Sequence, residues 1–369
     1  MRITSHILFL SISFLQLLWN FFTHCTIDAQ KVTAISALSR LTSNSPAVFQ
    51  HVIEKAGFKA VSTALASSIP KIQQGLVTMF VVLLSNRPQM RRIVQERDLV
   101  TKGLHLFESP SMVIRGKAFL LVLTLIQSTP EALLLCCQSR LVMYVERQVK
   151  RGIPTKGESR ENRDYLVQCQ NICMSAIVDA VPGIFSDVLA SLDAVQGRKH
   201  PSATQAKQLR IHLPLLSIIL HLVTSHAFRS QVTNEEFLVN IGLLLSHVIS
   251  IDSGNTSIGS AAGPNAADDL ISVVFSIAEA ITQHPPLLLE YHAVVAQHIL
   301  PHLVALMSSA NGDTRVLSFR MFAEVASLYF DNHNVYNSSS DIEDVLASTR
   351  KLNEVRCFLS QHGRALYFN

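Results

Sequence analysis

Ser43-Asn44-Ser45-Pro46, Ser85-Asn86-Arg87-Pro88 and Gln127-Ser128-Thr129-Pro130 place prolines at 46, 88 and 130, two steps of 42 residues. Leu41, Leu83 and Leu125 keep the same step, as do Val52, Val94 and Cys136. Proline suits the first turn of a helix, where its missing N–H costs no intrahelical bond and its φ is already helical. A Ser or Thr ahead of it can accept an orphan N–H. Each proline therefore starts a helix after a short turn, and the previous helix ends just before it.

A third element of the unit is plainest at 109–127. Ser109-Pro110-Ser111 is a turn. Val113, Ala118, Leu121, Val122 and Leu125 then form an apolar stripe at helical spacing, with Arg115 and Lys117 near its start. The pattern returns 200 residues later, after Asn311-Gly312-Asp313, with Arg115, Ala118 and Phe119 matched by Arg315, Ser318 and Phe319. A period near 42 fits HEAT or armadillo units and fits tetratricopeptide or ankyrin units poorly. One such unit cannot bury both apolar faces, whereas stacked neighbours can. The expected fold class is all-α: an α-solenoid of HEAT/armadillo-like helical repeats.

The expected organisation has five parts. Residues 1–28 are an atypical apolar segment. Residues 29–149 carry the repeats with the 42-residue step, and 150–163 form a charged linker. Residues 164–350 hold further HEAT-like helices with a mobile Gly/Ser/Asn-rich loop at 252–264, and 351–369 are a divergent tail. Predicted helices include 46–55, 70–85, 88–95, 130–149, 164–179, 182–195, 202–225, 286–308, 313–331 and 342–350. No β-strand alternation stands out.

Hydrophobic residues make up 48% of the chain and charged residues 16%, which excludes a disordered chain. The net charge of +4 is mild and its Lys and Arg are dispersed, so no nucleic-acid partner is expected. One cluster, Arg140 to Arg163, also holds Glu146, Glu158, Glu161 and Asp164, and reads as a solvated connector. The six cysteines have no disulfide spacing; Cys136 and Cys137 fall in an apolar helical run and read as buried reduced thiols, which favours the cytosol. The apolar stretch 7–22 follows Met1-Arg2 and is interrupted by Ser11, Ser13, Gln16 and Asn20. It has two of the three parts of a signal peptide, lacking the small-residue cleavage site. Its readings are a signal, an anchor, a partial first helix or an artefact of a mispredicted start. Membrane contact is expected nowhere else.

Catalytic signatures are absent from these 369 residues: no dinucleotide or phosphate-binding Gly loop, no His-Glu-x-x-His, no Gly-x-Ser-x-Gly, no kinase His-Arg-Asp or Asp-Phe-Gly. His298 and His302 share a helix face, but zinc needs three or four ligands and no third appears at a helpful spacing. Cys169 and Cys173 read as core. Asn255-Thr256-Ser257 and Asn337-Ser338-Ser339 are sequons that matter only in a secreted chain. No catalytic, cofactor-binding or metal site is expected, no cofactor and no small-molecule substrate.

Several stretches carry a family resemblance. They are Gly197-Arg198-Lys199-His200-Pro201-Ser202, Lys207-Gln208-Leu209, His221-Leu222-Val223-Thr224-Ser225, Ala37-Leu38-Ser39-Arg40-Leu41-Thr42-Ser43, Ser139-Arg140-Leu141-Val142-Met143-Tyr144-Val145-Glu146-Arg147 and Asp252-Ser253-Gly254. Over about residues 29 to 350 the chain resembles the C-terminal region of the pseudokinase branch of the Unc-51-like kinase family, which has a plant member. The resemblance implies a pseudokinase followed by a long HEAT/armadillo array, linked to microtubules, cilia and neuronal development. It implies no catalysis for this portion, and no nucleotide-binding residue carries over to any position here. It also implies that the chain is incomplete at both ends. The expected function is a non-catalytic protein-binding scaffold, with other proteins as partners along a solenoid face and a cytoplasmic, cytoskeleton- or cilium-associated location. Two alternatives stay open: a serine/threonine kinase by family inheritance, and a secreted or anchored helical protein resting on 7–22.

Overall fold

The 42-residue step reappears as a step between helix starts. The computed structural model describes residues 14–86, 96–152, 159–198, 200–254 and 257–331, and every regular element among them is a helix. They divide into two units between Ala180 and Val181.

In the first unit a helical stretch, 14–24, buries Leu15, Trp19 and Phe22. Then come α1 (Asp28–Asn44), α2 (Pro46–Ala56), α3 (Phe58–Ala64), α4 (Pro70–Asn86), α5 (Arg97–His105), α6 (Met112–Ile126), α7 (Pro130–Gln138), α8 (Leu141–Arg151) and α9 (Arg160–Asp179). The long helices α1, α4 and α6 begin at 28, 70 and 112, so the repeat is two short helices and a long one. The long helices stack in order: α1 on α4, α4 on α6, α6 on α9. Glycine permits the closest approaches. A Cβ on Gly75 would stand 2.4 Å from Ile35 Cγ2, and one on Gly116 would stand 2.6 Å from Tyr165 Cε1. Between the layers lie the aromatic contacts, with Phe49 edge-on to Phe80 at 4.9 Å and Phe107 stacked on Phe119 at 4.1 Å.

Pro46 and Pro130 open their helices as expected. Thr129 Oγ1 accepts from the Ala132 N–H at 3.2 Å, whereas Ser45 makes no side-chain cap. Pro88 and the predicted helix 88–95 lie outside the described residues. A second signal went unread in the sequence. Ser67, Ser109 and Ser309 each stand three residues before a long helix, and each hydroxyl accepts the N–H two residues on, at 3.2, 3.3 and 3.0 Å. Two of them are 42 apart and two are 200 apart, so this turn belongs to the repeat.

Three expectations are corrected in this unit. The predicted helix 130–149 breaks at Ser139-Arg140, where Arg140 turns left-handed at φ 71°. Cys136 and Cys137 thus end one helix rather than lying mid-run. The charged stretch 150–163 is an insertion, not a domain boundary: α9 packs on α6 within the first unit, with the Leu166 Cα 3.6 Å from where a Gly116 Cβ would be.

The second unit has α10 (Val181–Val195), α11 (Ala203–His212), a 3-10 turn (Leu213–Leu215), α12 (Leu216–Thr224), α13 (Arg229–Val232), α14 (Glu235–Asp252), α15 (Ser257–Ala262), α16 (Ala266–Thr282), α17 (Pro285–Glu290), α18 (His292–His298), α19 (Leu300–Leu306) and α20 (Gly312–Asp331). One layer runs α10, α14, then α18 and α19; the other runs α12, α16, α20. Side-chain bonds cross each layer: His247 to Asp193 at 3.3 Å in the first, Arg320 to Glu279 in the second.

Predicted helix 202–225 bends through the 3-10 turn, because Pro214 has no N–H to continue the ladder. Predicted helix 286–308 is three short helices, the last with Pro301 in its first turn. The mobile loop expected at 252–264 contains α15 instead. Its Ser257, Ile258 and Ala261 are buried, and Arg210 Nε donates to the Ala261 carbonyl at 3.0 Å. Small residues there serve close packing on α11, which composition alone reads as flexibility. Predicted helix 342–350 and the tail 351–369 lie outside the described residues.

Candidate binding surface

The long helices of the first unit share one stripe of positions that lies outside the core, save Gly75. In α6 only Val113, Lys117, Leu120 and Thr124 stand clear of the core, at i, i+4, i+7 and i+11. Forty-two residues earlier, α4 has Lys71, Gly75, Thr78 and Val82 in those places: Lys71 is exposed, Thr78 and Val82 are half-buried, and Gly75 is buried against α1. A further 42 back, α1 has Ala29, Thr33, Ser36 and Arg40, all exposed. The stripe continues on α9 as Asp164, Gln168, Asn171 and Ser175, also exposed, but 51 residues on from α6. The nine extra residues are the length of the charged insertion's effect on the register. Because the helices stack, the four stripes lie side by side.

This face has its own electrostatics. Lys117 is half-buried, and its Nζ donates to Thr78 Oγ1 on the neighbouring helix. Burial pushes the Lys117 pKa down, and no carboxylate offsets it. On the short helices, cations meet acids. Lys102 bonds Asp98 at 2.7 Å, which also accepts from Ser62, so that the Asp98 carboxyl is held low by Lys102 first and Ser62 second. Arg147 bonds Glu108 at 2.7 Å. Lys102–Thr63, Lys117–Thr78, Tyr144–His105 and Arg147–Glu108 are all 39 residues apart, one helical turn short of the repeat.

The residues singled out in the sequence fall elsewhere. His302 Nδ1 donates to the His298 carbonyl at 2.7 Å, across the break between α18 and α19. Among the described residues no group of three or more His, Cys, Asp or Glu is placed to hold a metal. Cys136, Cys137, Cys169 and Cys173 are buried free thiols. Burial pushes the Cys137 and Cys173 pKa values up to about 12. Arg115 is buried and donates to Gln148 Oε1 at 3.0 Å, whereas its counterpart Arg315 is exposed and donates to the Ser309 carbonyl at 3.1 Å. Asn255, Thr256 and the sequon at Asn337 lie outside the described residues. Ser191 Oγ lies 2.6 Å from His212 Nδ1, but the hydroxyl also donates to its own helix at the Asp187 carbonyl, 2.7 Å away, which is core satisfaction rather than a nucleophile. A cleft between stretch 14–24 and α2, lined by Gln16, Trp19, Asn20, His51, Val52, Lys55 and Ala56, has no paired acid and base.

The molecule is an all-α helical-repeat protein of the HEAT/armadillo class. A family model described as serine/threonine-protein kinase ULK4-like, HEAT repeats, matches residues 180–362, which begin where the second unit begins. The chain is 45% identical over 311 residues to the mouse protein named Serine/threonine-protein kinase ULK4, covering 84% of this chain and 24% of that protein. It is 23% identical over 308 residues to the Arabidopsis thaliana protein named Serine/threonine-protein kinase RUNKEL, covering 80% of this chain and 21% of that one. Residues 180–362 thus match the HEAT-repeat region of the ULK4-like family, and the chain spans a quarter or less of the length of these relatives. Among solved structures it is similar to a designed armadillo repeat protein, with a TM-score of 0.37 at 11% identity over 84% of this chain and 99% of that one.

Proposed function

We propose that this chain is a non-catalytic protein-binding scaffold segment that serves microtubule, ciliary or neuronal organisation in the cytoplasm. The observation that carries the reading is the open stripe held in register on α1, α4, α6 and α9. Stacked repeats offer an extended surface whose successive positions meet successive residues of a partner. The family match supports the context. The absence of catalytic signatures from the 369 residues supports the non-catalytic part.

The test uses the whole chain with a C-terminal tag as bait in a lysate of ciliated neuronal cells. A reproducible set of proteins is expected on the parent chain and lost on a Thr78→Glu, Leu120→Glu variant of unchanged melting temperature. Equal retention by that variant sinks the stripe as the binding face. A fluorescent fusion is expected in the cytoplasm or on microtubules; mobility sensitive to glycosidase would instead support a secreted chain. Stabilisation by ATP in a thermal melt would overturn the non-catalytic reading.

A further inference from the structure

The open face of the first unit is asymmetric in charge. Across α1, α4 and α6 its stripe carries Arg40, Lys71 and Lys117 and no Asp or Glu. Among the described residues no ion pair reaches any of the three. The same unit matches cations to acids on its short helices, at Asp98–Lys102 and Glu108–Arg147. Two cations of the short helices are thus held by acids, and none of the three on the stripe is. Carboxylates return only on α9, where Asp164 stands 3.8 Å from Arg160.

We propose that the α1–α4–α6 face takes an extended acidic segment of a partner protein, with Arg40, Lys71 and Lys117 as its cationic contacts. The inference rests on the scaffold reading and adds the face and the partner's chemistry. Lys117 anchors it. Its ammonium is drawn partly out of water and held by a hydroxyl alone, so a carboxylate arriving there meets a cation already stripped of some solvent. Thr33 and Ser36 stand exposed on α1 in the same stripe; the Thr33 and Thr78 hydroxyl protons go to the Ala29 and Gln74 carbonyls, which leaves their oxygens to accept from the segment's N–H groups. Arg40 stands at i+11 of its stripe, Lys71 at i and Lys117 at i+4. Steps of about 8–10 Å between packed helices thus combine with axial offsets of about 16 and about 6 Å, at about 1.5 Å per residue. The path of about 30 Å takes roughly nine residues of extended chain at about 3.3 Å per residue. Over α9, where the stripe reads Asp164, Gln168, Asn171 and Ser175, the segment is neutral or basic.

The test is fluorescence anisotropy with the full chain and a labelled peptide of about twelve residues alternating Glu and Ser. Binding is expected to weaken about tenfold or more in an Arg40→Gln, Lys71→Gln, Lys117→Gln variant, the equivalent of about 1.4 kcal/mol. A charge-matched control, Lys59→Gln, Lys102→Gln, Arg147→Gln, alters the other face and is expected to change binding less than about twofold. Binding is also expected to fall as salt rises. Should the triple variant melt below the parent, carbodiimide cross-linking of the peptide to the parent chain decides: Lys71 and Lys117 adducts support the proposal, and adducts confined to Lys59, Lys102 or Lys150 overturn it. Equal affinity for a Lys-Ser peptide, or displacement of the acidic peptide by a short oligothymidine, also overturns it. If the triple Gln variant keeps the lysate partners that the Thr78→Glu, Leu120→Glu variant loses, the scaffold reading stands and the acidic segment falls.

Discussion

At the scale of single residues, the clearest consequences concern groups held in unusual surroundings. Burial raises the Cys136, Cys137 and Cys173 thiols, whereas Cys25 is partly exposed. Thiolates, not thiols, react. Mild alkylation of the native chain should therefore label Cys25 well before Cys136, Cys137 or Cys173, and mass mapping will check the order; early labelling of Cys136 would contradict the burial. His247 is nearly enclosed, and burial lowers its pKa below the ordinary 6.5 more than the neighbouring Asp193 raises it. A lowered folded pKa means that the unfolded chain takes up the proton first. Stability linked to His247 is thus fully present above 6.5 and lost as pH falls through the folded value. His247→Gln should flatten the dependence of melting temperature on pH between about 7 and 5, and an unchanged slope would assign that dependence to other groups.

At the scale of helices, close packing decides where glycine matters. A Cβ on Gly242 in α14 would come 2.4 Å from the His298 carbonyl oxygen, which is backbone and has little room to move. Gly242→Ala should cost about 1–3 kcal/mol through overpacking. Gly183 sits in α10 with nothing within 4 Å of an added Cβ. There the same substitution should stabilise by about 0.4–1 kcal/mol, by restricting the unfolded chain. Denaturant midpoints for the two variants, moving in opposite directions, are the check. The sequence marks both glycines equally. Only the neighbouring helix distinguishes them, because the approach of α18 to α14 is a long-range contact with no local signature.

At the scale of the whole molecule, the division at Ala180–Val181 coincides with the start of the family match at 180. Repeat proteins gain stability from intrinsic terms and nearest-neighbour interfaces. Chains ending at 180 and beginning at 181 should each retain a helical circular dichroism spectrum and a cooperative melt. Loss of helix in either would show that the division is not a folding boundary. Four side-chain contacts between elements of the first unit are 39 residues apart, with two others at 36 and 33, whereas in the second unit such contacts include separations of 21, 41, 54 and 57. The repeat is strict in the first unit and uneven in the second, so the sequence period was readable only up to Pro130.

By itself the sequence determined the fold class, the 42-residue period and the positions of most helices. Those properties are written in local chemistry: prolines at first turns, apolar residues at helical spacing, polar residues between. It also carried the equivalence of 115 and 315, since both arginines stand fourth in a long helix. The tertiary structure alone decided the rest. It made the charged stretch an insertion within a repeat, because α9 packs back on α6. It turned a Gly/Ser-rich loop into the buried α15, and it gave Lys102 a carboxylate while leaving Lys117 half-buried on a hydroxyl. Lys102 meets Asp98 four residues away on its own helix, which a local pattern can encode, whereas Arg147 meets Glu108 and Lys117 meets Thr78 39 residues away, which none does.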